Sequence, residues 1–131
     1  MKLLVALGML IAVGTAEAAV PHEPVRFLAT TYSVQGITAK GTHTHRGVVA
    51  ADPRVLPLGS IISVSEAGLY SGVYVVTDTG SAVIGRHIDI FTPSTHEARE
   101  FGRKLVTVSI VWRGDNRRDG REVTAARAPA A

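Results

Sequence analysis

The 131-residue chain has no cysteine, which rules out disulfides and means that a fold built from it is held by its apolar core and hydrogen bonds alone. Aromatic residues are scarce too. Three Phe, three Tyr and one Trp offer few stacking platforms for single-stranded nucleic acid. The apolar run near the N-terminus, Leu3 to Gly14, is well short of the roughly 20 residues that a membrane-spanning helix needs. The histidines show no long-range ligand spacing of a known zinc motif.

What is present at the N-terminus has the anatomy of a secretory signal peptide: Lys2, the apolar run, then small residues Ala16 and Ala18 around Glu17. Residues 1–19 are read as this signal, with cleavage after Ala18 or Ala19 and a lead-in over 20–27. No cysteine follows the small residues, so no lipid attachment site is present. The expectation is an exported chain in the periplasm, the cell envelope or the medium, with no stable membrane insertion after cleavage. From Arg113 to Ala131 the chain is charged and then Ala-rich without apolar periodicity, which reads as a flexible tail. The net charge of +3 favours acidic partners, but much of the excess sits in that tail at Arg113, Arg117, Arg118, Arg121 and Arg127. Nucleic acid is the wrong partner for an exported chain.

Between these ends, short runs rich in Val, Ile, Thr and Tyr are fenced by Gly, Pro or Asp: 26–34, 47–51, 60–65, 72–78, 86–91 and 105–112. They predict a mainly β fold, a small six-stranded barrel or sandwich. In the last run Val106, Val108, Ile110 and Trp112 alternate with polar residues, as in a half-buried strand. One short helix is predicted over Thr95 to Phe101, with Ser94 as N-cap, Glu97 as its capping-box partner and Gly102 ending the turn.

Within "RHIDIF" the period of two sets Ile88 and Ile90 on one face and His87, Asp89 and Phe91 on the other. Asp89 is thus a mid-strand aspartate with no apparent benefit to folding, a broken local rule of the kind found at functional positions. Asp78 in "DTG" reads either as a turn opener or as a second functional carboxylate, and Asp52, before a proline, as a turn residue or a third. Clustered carboxylates repel, so one of them should keep its proton near neutrality, and a protonated aspartate beside an ionised one suits glycosidic bond cleavage. The histidines compete: His43 and His45 of "THTH", with the His87–Asp89 pair, are conceivable zinc ligands or else solvated loop residues.

The segments "TAKGTHTHRGVVAADPRVLPLGS" and "TDTGSAVIGRHIDIF" closely resemble the three-aspartate (3D) domain of bacterial cell-wall proteins. That domain is a double-psi β-barrel, shared with membrane-bound lytic murein transglycosylase A and related to the rare lipoprotein A-like barrel. The resemblance covers about Leu28 to Trp112, and the domain is accordingly placed at 28–112. It implies that Asp52, Asp78 and Asp89 are the three name-giving aspartates, with Asp89 matching the residue proposed as catalytic acid and base. Thr44 matches a threonine of the Gly- and Thr-rich loop, and Gly80 and Gly85 match glycines that shape the walls. Thr79 and His87, beside the aspartates, join them as expected substrate contacts. Ile84 stands where the family usually has Lys and Ser81 where a second glycine is common, leaving Arg86 as the candidate cationic contact.

The expected function is therefore exported cleavage of peptidoglycan glycan strands between N-acetylmuramic acid and N-acetylglucosamine, without metal or organic cofactor. A non-catalytic cell-wall-binding barrel is the main alternative, and a metal-dependent hydrolase the lesser one. The extra domain that walls the glycan groove in the transglycosylase is missing from this chain, which leaves open a protein partner that completes the groove.

Overall fold

The computed structural model describes residues 23–121, so the expected signal peptide and the end of the expected tail lie outside the described residues. Six strands, β1 (Val25–Tyr32), β2 (Val48–Ala51), β3 (Ile61–Ser65), β4 (Gly72–Asp78), β5 (His87–Phe91) and β6 (Lys104–Trp112), are joined by one α-helix, α1 (Thr95–Phe101), and a single 3₁₀ turn, Gly68–Tyr70. This is the mainly β fold with one helix that the residues predict, and of the barrel and the sandwich they allow it is the barrel. The strands close in the order β1-β5-β2-β4-β3-β6, with β6 pairing back onto β1. Two pairings are parallel, β1 with β5 and β2 with β4, and the others antiparallel. Closure leaves no free sheet edge, the economical arrangement for a small β fold.

Alternation fills the barrel. Phe27 and Ala29 of β1, Val49 and Ala51 of β2, Ile62 and Val64 of β3, Ile88 and Ile90 of β5, and Val106 and Val108 of β6 all point inward and are buried. Burying an isoleucine side chain fully is worth about 1.5–3 kcal/mol. The entire range of strand propensities is only about 1 kcal/mol. Ile88 and Ile90, both essentially inaccessible, therefore outweigh the poor propensity of Asp89 between them.

The alternation of β6 weakens at its end. Ile61 pairs with Trp112 but Ile62 with Ile110, so one extra residue, Val111, bulges there and Trp112 is left 42% exposed instead of completing the apolar row.

In α1, Ser94 Oγ accepts the Glu97 N–H at 3.2 Å, as an N-cap should, and Gly102 ends the helix at φ +64°. The Glu97 side chain does not turn back to the cap. It accepts from Thr92 Oγ1 at 2.6 Å, from the Tyr70 hydroxyl and from Arg46, which holds its carboxyl down at about 2, with the Thr92 bond the largest cause.

Residues 113–121 form no helix or strand, yet hydrogen bonds tie them to the barrel. Asn116 Oδ1 accepts from Leu58 N at 2.7 Å, Gly114 N donates to Ser60 Oγ at 2.9 Å, and Gly120 N donates to Lys40 O at 3.0 Å. Lys40, buried to 3% exposure, places its ammonium 3.2 Å from Asp119. These contacts are polar and mostly to backbone, so hydrophobic periodicity carries no trace of them.

Candidate functional site

Asp89 and Asp78 come together through the register of three strands. Ala50 of β2 is the partner of Asp89 on one side and of Asp78 on the other. Residues in register share a face, so both carboxylates flank one methyl group, with their backbones two strand spacings, about 10 Å, apart. Asp89 is on the outer face because Ile88 and Ile90 occupy the inner one.

Asp78 reaches that face by an irregularity. In β4, Tyr74 and Val76 point into the core, and unbroken alternation would send Asp78 inward after them. Instead Val49 pairs with Val76 and Ala50 with Asp78, so Thr77 is an extra residue in the strand. This β-bulge re-aims Asp78 outward, next to Asp89.

The row continues into β1, where Thr30 is in register with Asp89. Thr30 Oγ1 donates to Asp89 Oδ1 at 2.9 Å and lies 2.7 Å from His87 Nε2. Asp89 is half-buried and its carboxyl is pushed above the usual carboxylate range. Burial is the main cause and the Asp78 charge adds to it, while the Thr30 bond and His87 oppose. The elevated affinity for a proton thus has a different leading cause from the carboxylate repulsion that the sequence suggests. Asp78 is also a turn residue, since its Oδ1 accepts the N–H groups of Ala39 at 3.0 Å and Thr79 at 2.9 Å. The turn reading of Asp78 is thus met.

Tyr32, absent from the sequence-derived site, belongs to this face. Its hydroxyl is buried with no hydrogen-bond partner, and burial, then the charges of Asp78 and Asp89, push it well above the ordinary phenol range. Its ring packs edge-on against Phe91 at 5.5 Å between centroids. Thr30 and Tyr32 share a strand face in "RFLATTY", which the alternation shows, but only the β1–β5 pairing brings that face to Asp89.

Asp52 has a different environment. It is 3% exposed, and its carboxylate takes two bonds from the Arg54 side chain, at 3.0 and 2.9 Å, and others from the N–H of Arg54 and of Gly85. The Arg54 side chain above all, then the Gly85 N–H, holds this carboxyl far below the usual range, so it is an ionised anchor. Through it the loop before β5 is fixed to the exit of β2. Gly85 sits at φ +70°, where a side chain would be strained. A Cβ on Gly80 would meet Val83 at 3.0 Å.

The remaining expected contacts are dispersed. Thr44 and Gly36 close a turn on each other, Gly36 N donating to Thr44 Oγ1 at 3.1 Å. Arg86 lines a separate cavity of about 170 Å³ with Phe27, Leu56 and Val108. His43 and His45 are exposed, His45 Nδ1 lying 2.7 Å from Arg46 O. Among the described residues no three His, Asp or Glu side chains form a group that could hold a metal ion. A larger cleft, about 510 Å³, is lined by Tyr70, Tyr74, Phe91, Phe101, Arg46 and Glu97 among others and by none of the three aspartates. The aspartate row lines neither of these cavities: Asp78 and Asp89 are half-buried on either side of Ala50, which is itself 4% exposed.

A closed six-stranded barrel with Asp52 just after β2, Asp78 at the end of β4 and Asp89 in the middle of β5 defines a three-aspartate barrel. The 3D domain family matches residues 47–112, and the chain belongs to it. Similar proteins include the cell wall-binding protein YocH of Bacillus subtilis, 35% identical over 65% of this chain and 30% of its own. The SPbeta prophage-derived protein YorM of the same organism is 36% identical over 72% of this chain and 43% of its own. The chain therefore spans less than half the length of these curated relatives. Among solved structures, the lytic transglycosylase MltA of Escherichia coli aligns with a TM-score of 0.49 at 19% identity, covering 63% of this chain and 29% of that one.

Proposed function

We propose that this barrel is an exported peptidoglycan-active enzyme that cleaves the bond between N-acetylmuramic acid and N-acetylglucosamine, with Asp89 as acid and base. The observation that carries this is the half-buried Asp89 carboxyl, its proton affinity raised by burial, in register across Ala50 with Asp78. A carboxylic acid that retains its proton can donate it to the glycosidic oxygen as that bond breaks. The Asp89 carboxylate then takes the proton of the sugar's own 6-hydroxyl, whose oxygen attacks the anomeric carbon, leaving a 1,6-anhydro end and Asp89 protonated again. Asp78 lies where its charge can stabilise the oxocarbenium character of the transition state. Asp52 holds the Gly85 loop, and Thr79, Gly80 and His87, at the end of β4 and the start of β5, are the proposed glycan contacts beside it, with Thr44 in its own turn and Arg86 at a separate cavity. The cell wall-binding relative supports the polymer as ligand, and a protein partner that completes the groove would raise affinity for it.

The capture of Asp78 by loop N–H groups favours a second reading, a wall-binding barrel without turnover. Purified sacculi separate the two. Loss of turbidity with release of anhydro-muropeptides, persisting in EDTA, is expected of the enzyme. Co-sedimentation without release would establish the binder, and activity lost to EDTA and regained with zinc would overturn the metal-independent mechanism.

A further inference from the structure

His87 is held at both ring nitrogens. Nδ1 lies 3.2 Å from the Ala82 carbonyl oxygen, which can only accept, so Nδ1 carries a hydrogen in this geometry. Nε2 lies 2.7 Å from Thr30 Oγ1, which in turn lies 2.9 Å from Asp89 Oδ1. Thr30 has one hydroxyl hydrogen for two neighbours. If it points at Asp89, Nε2 must donate to Thr30 and His87 is an imidazolium beside a carboxylate. If it points at Nε2, His87 is neutral and Asp89 must be the acid, donating to Thr30. A neutral His87 with an ionised Asp89 cannot satisfy all three contacts.

We infer that His87, Thr30 and Asp89 form a proton relay holding one shared proton, with Thr30 as the positioning residue that connects the exposed side of His87 to the half-buried Asp89. Transfer breaks Nε2–H and forms a new Thr30 O–H, while the original Thr30 hydrogen moves to Asp89 Oδ1; no heavy atom need shift. The other titratable groups that act on Asp89 are Asp78 from β4 and Tyr32 from β1. Burial favours the neutral arrangement, in which the proton sits on Asp89. Use of that proton in glycan cleavage rests on the function proposed above; the relay itself does not.

The test is nuclear magnetic resonance on labelled protein. In the wild type, proton-bearing Nδ1 is expected for His87 throughout about pH 5 to 8, the range in which histidine ordinarily changes charge. Every titration step of the pair should appear in both the Asp89 carboxyl and the His87 Nε2 signals, because the steps of coupled sites belong to the pair and not to either residue. Thr30→Ser should preserve those shared steps, and Thr30→Val should leave each signal with a single step of its own. A neutral His87 found as the Nε2–H tautomer overturns the relay, as do steps confined to one signal or the other in the wild type, and that measurement needs no variant to fold. Muropeptide release measured on the same samples keeps the two ideas apart: a coupled titration without release leaves the relay standing and removes the enzyme, and release without coupling does the reverse.

Discussion

Asp52 Oδ2 accepts the N–H of Gly85 at 2.9 Å, joining the exit of β2 to the loop before β5 across 33 positions of sequence. Replacing Asp52 with Asn keeps the volume and one acceptor but loses the two-bond pairing with Arg54. Tm at pH 7 should fall by several degrees. The sign with pH follows from the lowered carboxyl: the stabilisation is present above the unfolded-chain value of about 4 and is lost as pH falls below it. The Tm gap between wild type and Asp52→Asn should therefore narrow below about pH 4. A gap that stays constant down to pH 2 would show that charge is not what Asp52 contributes.

Asp89→Asn should fold with unchanged or slightly higher Tm. A group whose carboxyl is raised by burial is destabilising when ionised, so removing the charge helps above the unfolded value of about 4. Anhydro-muropeptide release should drop about 100-fold to 10,000-fold, since an amide cannot pass the proton. Wild-type release from a folded variant would refute the mechanism, and an unfolded variant would make Asp89 structural.

Glu97, held at about 2 against an ordinary 4.5, anchors α1 to Thr92, Arg46 and Tyr70. Its contribution is present above about pH 4.5 and disappears as pH drops towards 2. Thermal scans of Glu97→Gln and wild type should differ most at neutral pH and converge at the acid end.

Thr77 and Tyr32 each bury a hydroxyl without a partner. An unsatisfied buried polar group costs about 1–3 kcal/mol. Thr77→Val and Tyr32→Phe should therefore unfold at equal or higher temperature than wild type. A lowered Tm in both would show that the hydroxyls are satisfied in solution.

A Cβ on Gly114 would fall 2.2 Å from Leu58 O and 2.4 Å from Ser60 N, both backbone atoms that cannot step aside. Overpacking of this kind costs about 1–3 kcal/mol. Gly114→Ala should lower Tm by several degrees and expose the Leu58 and Gly120 amides to hydrogen exchange. Unchanged exchange would mean that residues 113–121 do not depend on this close approach.

The sequence by itself determined the strands, the helix and the outward direction of Asp89, because these depend on local periodicity and capping. Val, Ile and Thr in runs, Ser94 with Gly102, and isoleucines on both sides of Asp89 carry that information within a few residues. Likeness to the three-aspartate family supplied the identity of the aspartates. Only the tertiary structure decided which of them meet. The Thr77 bulge turns Asp78 away from the core direction that alternation assigns it, and pairing of β1 with β5 brings Thr30 and Tyr32 to Asp89 and His87 across more than 50 positions. The docking of residues 113–121 likewise follows from backbone hydrogen bonds to Leu58 and Lys40, for which composition has no signature. Register and bulges are properties of strand pairs, so a single strand's pattern cannot encode them.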